Sequence, residues 1–211
     1  MNVLVIAPHP DDETIGCGGS LCLRAARGDR VTVVFLTSGE LGLKDRSPKR
    51  AWKIRESEAR AACCLLGVAR LEFLRLPDWH VGEHVQRGAR LLRPILKAER
   101  PEMIYLPHPG DWHPDHQATL PLLRAAWRGL RLPAAELRAY EIWTPLNEFD
   151  HVEEITRVMP RKLRALRAHG SQLQEFDYER AVRGLNQFRG ALAGKCPYVE
   201  VFETVHLHRH A

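Results

Sequence analysis

Short apolar runs alternate with longer amphipathic stretches along this chain. Residues 3–7 (Val-Leu-Val-Ile-Ala) and 31–36 (Val-Thr-Val-Val-Phe-Leu) are nearly continuous apolar runs, as expected of parallel strands covered on both faces. Residues 14–27, ending near Gly28, and 51–66, stopped by Gly67, read as helices. A polar loop over 37–49 precedes the second of them. A strand at 71–74, a helix at 83–98, a strand at 103–106, a helix at 115–128 and a strand-like segment at 137–143 follow. Residues 160–169 and 175–189 read as two more helices, and the alternation at 198–205 predicts a late antiparallel edge strand. Strands alternating with helices of this length predict an α/β fold: a single-domain, Rossmann-like, mostly parallel sheet with helices on both faces. No repeat or low-complexity linker divides the 211 residues, so one domain spanning 1–211 is expected.

Composition excludes several classes. The hydrophobic fraction is 45% and the charged fraction 27%, ordinary for a soluble globular chain. No apolar run approaches the roughly 20 residues of a membrane span, and no basic-then-apolar leader precedes the first strand; a cytoplasmic location is expected. Five cysteines form no CxxC pair, which argues against a disulfide framework. The net charge of +5 comes mainly from 25 Arg against six Lys. Its local excess lies at Lys44, Arg46, Lys49, Arg50, Lys53 and Arg55, faced only by Asp45. This reads first as a solvated loop running into a helix, and second as attraction for an anionic substrate. No aromatic-interleaved basic stripe accompanies it, so no nucleic-acid partner is expected. A homo-oligomer is compatible with the sequence.

The chemistry concentrates in two clusters. Pro8-His9-Pro10-Asp11-Asp12-Glu13 follows the first strand, and His113-Pro114-Asp115-His116 follows the strand at 103–106. Both occupy strand-to-helix loops at the carboxyl edge of the sheet, where open α/β sheets bind ligands. Three adjacent carboxylates repel one another unless a cation sits among them. A catalytic zinc takes three protein ligands and leaves a fourth position for water; His9, one carboxylate of the Asp11-Asp12 pair and one His of the second cluster could supply them. The other carboxylate could then serve as general base. His113 and His116 are three apart at a helix start and share a face, so one can bind metal while the other faces substrate. The plainer alternatives are helix caps, or a closed structural zinc, which is usually rich in Cys.

Gly16-Cys17-Gly18-Gly19 with Glu40 raises a nucleotide-binding reading. Its spacing departs from GxGxxG, however, and carboxylates would occupy the pyrophosphate position. The glycines are expected instead to let the first helix pack close. Glu40 and Asp78 end strands at the same edge, as substrate groups or as a cap and a turn residue. Arg55 and Glu58 are spaced for a helical ion pair. His206, His208 and His210 alternate as one face of an edge strand or a loose tail.

Taken together, these residues resemble the LmbE-like (PIG-L) zinc deacetylase family. The 8–13 and 113–116 blocks are similar to its two motifs. Weaker similarity runs through Thr37-Ser38-Gly39-Glu40, residues 55–59, the Asp78 loop, residues 140–146, residues 169–172 and Arg189-Gly190. The resemblance implies a zinc site of His9, Asp12 and His116, with ferrous iron also suited to those donors. It implies Asp11 as general base, and His113, backed by Asp115, as stabiliser of the oxyanion or aid to the departing amine. Glu40, Arg55 and Asp78 are implied on the substrate side. The implied partner is a small-molecule amino sugar: the family removes acetyl groups from N-acetylglucosaminyl compounds, including thiol precursors, N-acetylchitooligosaccharides and lipid-linked glucosamine. Trp112 stands where some thiol-pathway relatives carry a basic residue, and an indole there favours stacking on a sugar face.

Overall fold

The structure, a computed structural model, describes residues 1–207; His208 and His210 lie outside that range. Its elements run in chain order β1 (Asn2–Ala7), α1 (Asp12–Ala26), β2 (Arg30–Phe35), α2 (Pro48–Leu66), β3 (Arg70–Phe73), a 3₁₀ turn (Val81–His84), α3 (Val85–Glu99), β4 (Met103–Pro107), α4 (Pro114–Trp127), β5 (Glu136–Tyr140), β6 (His151–Glu154), α5 (Met159–Arg167), α6 (Gly170–Leu173), α7 (Tyr178–Arg189), a π-helical turn (Gly190–Gly194) and β7 (Val199–Val205).

One seven-stranded sheet has the order β3-β2-β1-β4-β5-β7-β6. The first five strands in that order pair in parallel, and β7 pairs antiparallel with β5 and β6. Strand alternation explains why both faces of β1 are apolar. Val3, Val5 and Ala7 join the core shared with Leu21, Ala59 and Cys63. Leu4 and Ile6 point the other way, to Leu92, Leu96 and Leu122. Helices cover both faces.

Three expectations change in detail. The segment at 198–205 is antiparallel as expected but is not an edge, because β6 covers its outer side. The pattern of β6, His-Val-Glu-Glu, has too little apolar character to announce a strand. Arg55 and Glu58 do not pair: Glu58 accepts the Ser171 N–H and hydroxyl, and Arg55 turns inward. Among the described residues, no helix is long and apolar enough to cross a membrane.

The chain runs from β1 outward through β2 and β3, then returns to place β4 on the other side of β1. The carboxyl ends of β1 and β4 therefore flank the switch point where open α/β sheets form a binding crevice. The two His/Asp clusters leave the sheet there.

Candidate active site

β1 ends at Ala7 and α1 begins at Asp12, so Pro8–Asp11 form a tight turn between them. Asp11 caps the helix with φ +124°, a backbone region that non-glycine residues rarely occupy. Several contacts enforce it. The Asp11 N–H donates to Glu13 Oε2 at 3.1 Å, and the Asp11 carbonyl accepts from Thr14 and Ile15. The Arg55 guanidinium, reaching in from α2, donates to the Pro10 carbonyl at 2.6 Å, Asp11 Oδ2 at 3.0 Å and the Gly39 carbonyl at 3.0 Å. Gly39 has φ +61°, and a Cβ there would lie 2.0 Å from Arg55 Nη1. Asp12 and Glu13 fall in the first turn of α1, where the helix dipole favours acids.

Across the crevice, His113 caps α4, and Pro114 opens that helix, where a missing N–H costs nothing. His116 follows within the first turn, fully buried.

Three donors then converge. Asp12 Oδ2 lies 3.2 Å from His9 Nδ1 and 3.3 Å from His116 Nε2, and those two nitrogens are 3.4 Å apart. Donors about 2.0–2.1 Å from a tetrahedral zinc sit about 3.3–3.4 Å from one another. The triangle thus has the size of one face of such a coordination sphere, and its donor types suit a divalent metal. His9, His113 and His116 also bring ring nitrogens within 4.8 Å of each other.

Further carboxylates orient the imidazoles, as metal-binding His side chains require. Asp115 Oδ2 lies 3.1 Å from His9 Nε2 and accepts the Trp79 N–H; Oδ1 accepts the Val81 N–H. The Asp115 carboxylate therefore backs His9, whereas the sequence reading set it behind His113. Only the Asp115 backbone serves His113, donating its N–H to Nδ1 at 3.2 Å. That bond leaves the His113 proton on Nε2. Asp111, which sequence reasoning missed, is the partner of His116. Its Oδ1 lies 3.2 Å from His116 Nδ1 and accepts the His113 N–H, and Oδ2 accepts the N–H groups of Trp143 and Thr144. The available signal was an acid two residues before His113 in the same strand-to-helix loop.

The other expected residues are also placed. Asp78 is buried; its Oδ2 accepts the Leu41 N–H, while Oδ1, 3.1 Å from His9 Nε2, has no aligned hydrogen-bond partner. Glu40 does not line the cavity but accepts the Asp78 N–H at 3.0 Å. His169 Nε2 approaches Glu13 Oε1 at 3.4 Å behind Asp11. His108 points away, its Nε2 2.7 Å from the Thr144 carbonyl. The glycines of α1 serve packing: a Cβ at Gly16 would meet the Tyr140 ring at 2.2 Å, and one at Gly19 would meet Ile155 at 2.6 Å.

His9, Asp11, Asp12, Arg55, Asp78 and His113 open into a cavity of about 340 Å³. A larger groove of about 730 Å³, between α4 and β7, contains none of this cluster. Burial pushes the Asp11 carboxyl up to about 6, against the pull of Arg55. Burial, with His9 and His116 nearby, pushes His113 down to about 4. Despite burial, contact with His9 holds Asp78 down to about 2.

A switch-point crevice with a His/Asp group able to hold a metal, and a carboxylate beside it outside the donor triangle, has the parts of a metal-assisted amide hydrolase. Comparison with known proteins gives the same class. The family model described as PIG-L, GlcNAc-PI de-N-acetylase, matches residues 4–127. The Bacillus cereus protein named "Probable N-acetyl-alpha-D-glucosaminyl L-malate deacetylase 2" is 33% identical, over 82% of this chain and 84% of its own. A 1D-myo-inositol 2-acetamido-2-deoxy-alpha-D-glucopyranoside deacetylase from Saccharopolyspora erythraea is 31% identical, over 82% and 78%. The structure of N,N'-diacetylchitobiose deacetylase from Pyrococcus horikoshii superimposes with a TM-score of 0.85 at 27% identity, covering 99% of this chain and 87% of that one. The chain belongs to the PIG-L (LmbE-like) family of de-N-acetylases.

Proposed function

We propose that this chain is a zinc-dependent hydrolase that removes the acetyl group from an N-acetylglucosamine-type amino sugar or its glycoside, releasing acetate. The observation that carries this reading is the donor triangle of His9 Nδ1, Asp12 Oδ2 and His116 Nε2, with Asp11 beside it and outside it. The named relatives differ in what the sugar is attached to, but share an acetamido sugar. His9, Asp12 and His116 hold the metal; ferrous iron suits the same donors. When bound, a zinc ion polarises the acetyl carbonyl and lowers the pKa of water toward 7.

The remaining steps fall to the chain's own side chains. Asp11 takes a proton from the attacking water, and Arg55 fixes the carboxylate that receives it. The Nε2–H of His113 faces the carbonyl oxygen as charge develops there. The C–N bond then breaks as the nitrogen takes up the proton that Asp11 removed from water, so that acetate and the free amine are the products. Asp115 and Asp111 orient His9 and His116. Asp78 and Arg55 line the substrate cavity, and Glu40 acts through Asp78.

We further take residues 1–211 as one such domain in the cytoplasm; five unpaired cysteines fit a reducing compartment. The test is a zinc-reconstituted screen for acetate release. Release from N-acetylglucosaminides, abolished by a chelator and restored by zinc, is the expected result. Release only from amides other than amino sugars would favour an amidohydrolase of different scope. Stoichiometric zinc without acetate release from any amide would overturn the enzymatic reading.

A further inference from the structure

Four aromatic rings run outward from His113 along the cavity mouth. The Trp79 ring centroid lies 4.4 Å from that of His113. Trp112 follows 6.2 Å from Trp79, Trp143 lies 6.0 Å beyond Trp112, and Phe176 lies 5.5 Å beyond Trp143. The rings come from four separate connections: after β3, after β4, after β5 and before α7. Trp79, Trp112 and Phe176 are 48%, 53% and 52% exposed. A contiguous apolar rim at a cavity is a marker of binding rather than of folding. Trp79 is also held at φ +69° while its N–H donates to Asp115, so its placement is enforced against backbone preference.

Charge at the mouth is balanced. Lys44 and Glu175 line it with opposite signs, and the Arg55 guanidinium is occupied by Asp11 and two carbonyls. The cavity of about 340 Å³ is at the small end of ligand pockets. A group attached to a sugar seated in that cavity would extend over the rings that line its mouth.

We propose that this rim is an aglycone subsite for a second, neutral sugar ring stacked on Trp112, in preference to a small carboxylate. The inference rests on the deacetylase reading above. A pyranose presents C–H groups on its face and hydroxyls at its edge. The weakly positive C–H face meets the negative face of an indole, and the hydroxyls stay in water. A carboxylate would meet that same negative face, with Lys44 the one cation at the mouth and Glu175 offsetting it.

The experiment measures acetate release and binding together, on zinc-loaded protein. Binding to the Asp11→Asn variant is followed by tryptophan fluorescence. The ligands are N-acetylglucosamine, N,N'-diacetylchitobiose and N-acetylglucosaminyl malate. The disaccharide is expected to bind about tenfold tighter than the monosaccharide, the scale of one aromatic stack, and the malate glycoside no tighter than the monosaccharide. Trp112→Ala, added to the Asp11→Asn background, removes the disaccharide's advantage, and Trp112→Tyr retains it; Phe176→Ala reduces it. Equal binding of mono- and disaccharide, tighter binding of the malate glycoside, or an advantage surviving Trp112→Ala overturns the subsite. A disaccharide advantage without acetate release from any sugar by wild type leaves the subsite standing and sinks the deacetylase reading instead.

Discussion

Two buried charged clusters lie along helix α1, and they differ in how completely they are satisfied. Midway along the helix, Lys162 Nζ donates to the Ile15 carbonyl, Asn186 Oδ1 and Glu200 Oε1 at 2.7–2.9 Å. Glu200 in turn accepts the Gly19 and Ser20 N–H groups and the Ser20 hydroxyl. Each ammonium proton and both carboxylate oxygens are used. At the helix N-terminus, carboxylates instead crowd around His9 and His116. Among the described residues, four buried side-chain atoms lack hydrogen-bond partners. Asp78 Oδ1 and His116 Nδ1 belong to this cluster, each within ion-pair distance of a neighbour (His9 Nε2 at 3.1 Å and Asp111 Oδ1 at 3.2 Å) but without hydrogen-bond alignment; Gln172 lines the cavity, and only Arg138 Nε is unrelated. A saturated network holds a fold together; buried polar atoms without aligned partners gather instead around the cavity.

This contrast can be broken experimentally. The largest effect is expected at Asp11: Asp11→Asn lowers turnover about 10²–10⁴-fold while metal content and melting temperature stay at wild-type values. His116→Ala, by comparison, loses the metal. Elemental analysis with an acetate assay separates the two. A normal rate in Asp11→Asn would remove Asp11 from the proton-transfer role.

The saturated cluster should respond in the opposite sense. Lys162→Met strands the Glu200 charge and costs about 3–5 kcal/mol of stability, measured by urea unfolding. The Lys162→Met, Glu200→Leu double variant recovers much of that loss. If the single variant unfolds like wild type, the cluster is not structural in the sense described.

The outer carboxylates fall between these extremes. Asp111→Asn and Asp115→Asn should each weaken metal affinity about 10–100-fold through His116 and His9, as read by competition with a chromogenic chelator. Unchanged affinity would detach them from the donor triangle.

The smallest effect is expected at Glu99, a buried carboxylate whose partner side chains Arg30 and Arg70 reach into solvent, since solvent-screened ion pairs contribute little. Despite burial, Thr32, Arg30 and Arg70 hold Glu99 below its ordinary value of 4.5. Because the folded value is depressed, the stabilisation is present above pH 4.5 and is lost as pH falls through the folded value. Glu99→Gln should therefore flatten the acid limb of the stability profile. An unaltered limb would show that these contacts carry no net charge preference.

Much of this was legible in the sequence because it is local. Two-sided apolar runs mark the parallel strands, and a turn of stacked carboxylates after the first strand marks a site. The donors His9, Asp12 and His116 meet because the strand order sets β1 beside β4, as loops at one sheet edge imply. The non-local partners left no trace. Lys162 reads as a surface helix residue, since nothing near it announces Glu200. Arg55 looks like one more cation in a basic stretch; only the fold turns it inward while Lys44, Arg46, Lys49, Arg50 and Lys53 stay exposed. Asp115 carries a carboxylate and an N–H that serve different imidazoles, a distinction that lies in geometry alone. β7 alternates as an edge strand does, and becomes internal only through the polar β6.

The pairing of β1 with β4 sets Val3 against Met103. Sequence-distant parallel pairing forms slowly, since loop closure precedes its reward. The donor triangle cannot exist until this central crossing has closed. With the metal site proposed above, metal uptake during refolding would serve as a clock: it would start only when the longest-range contact of the parallel sheet is in place, and would time that event without a label.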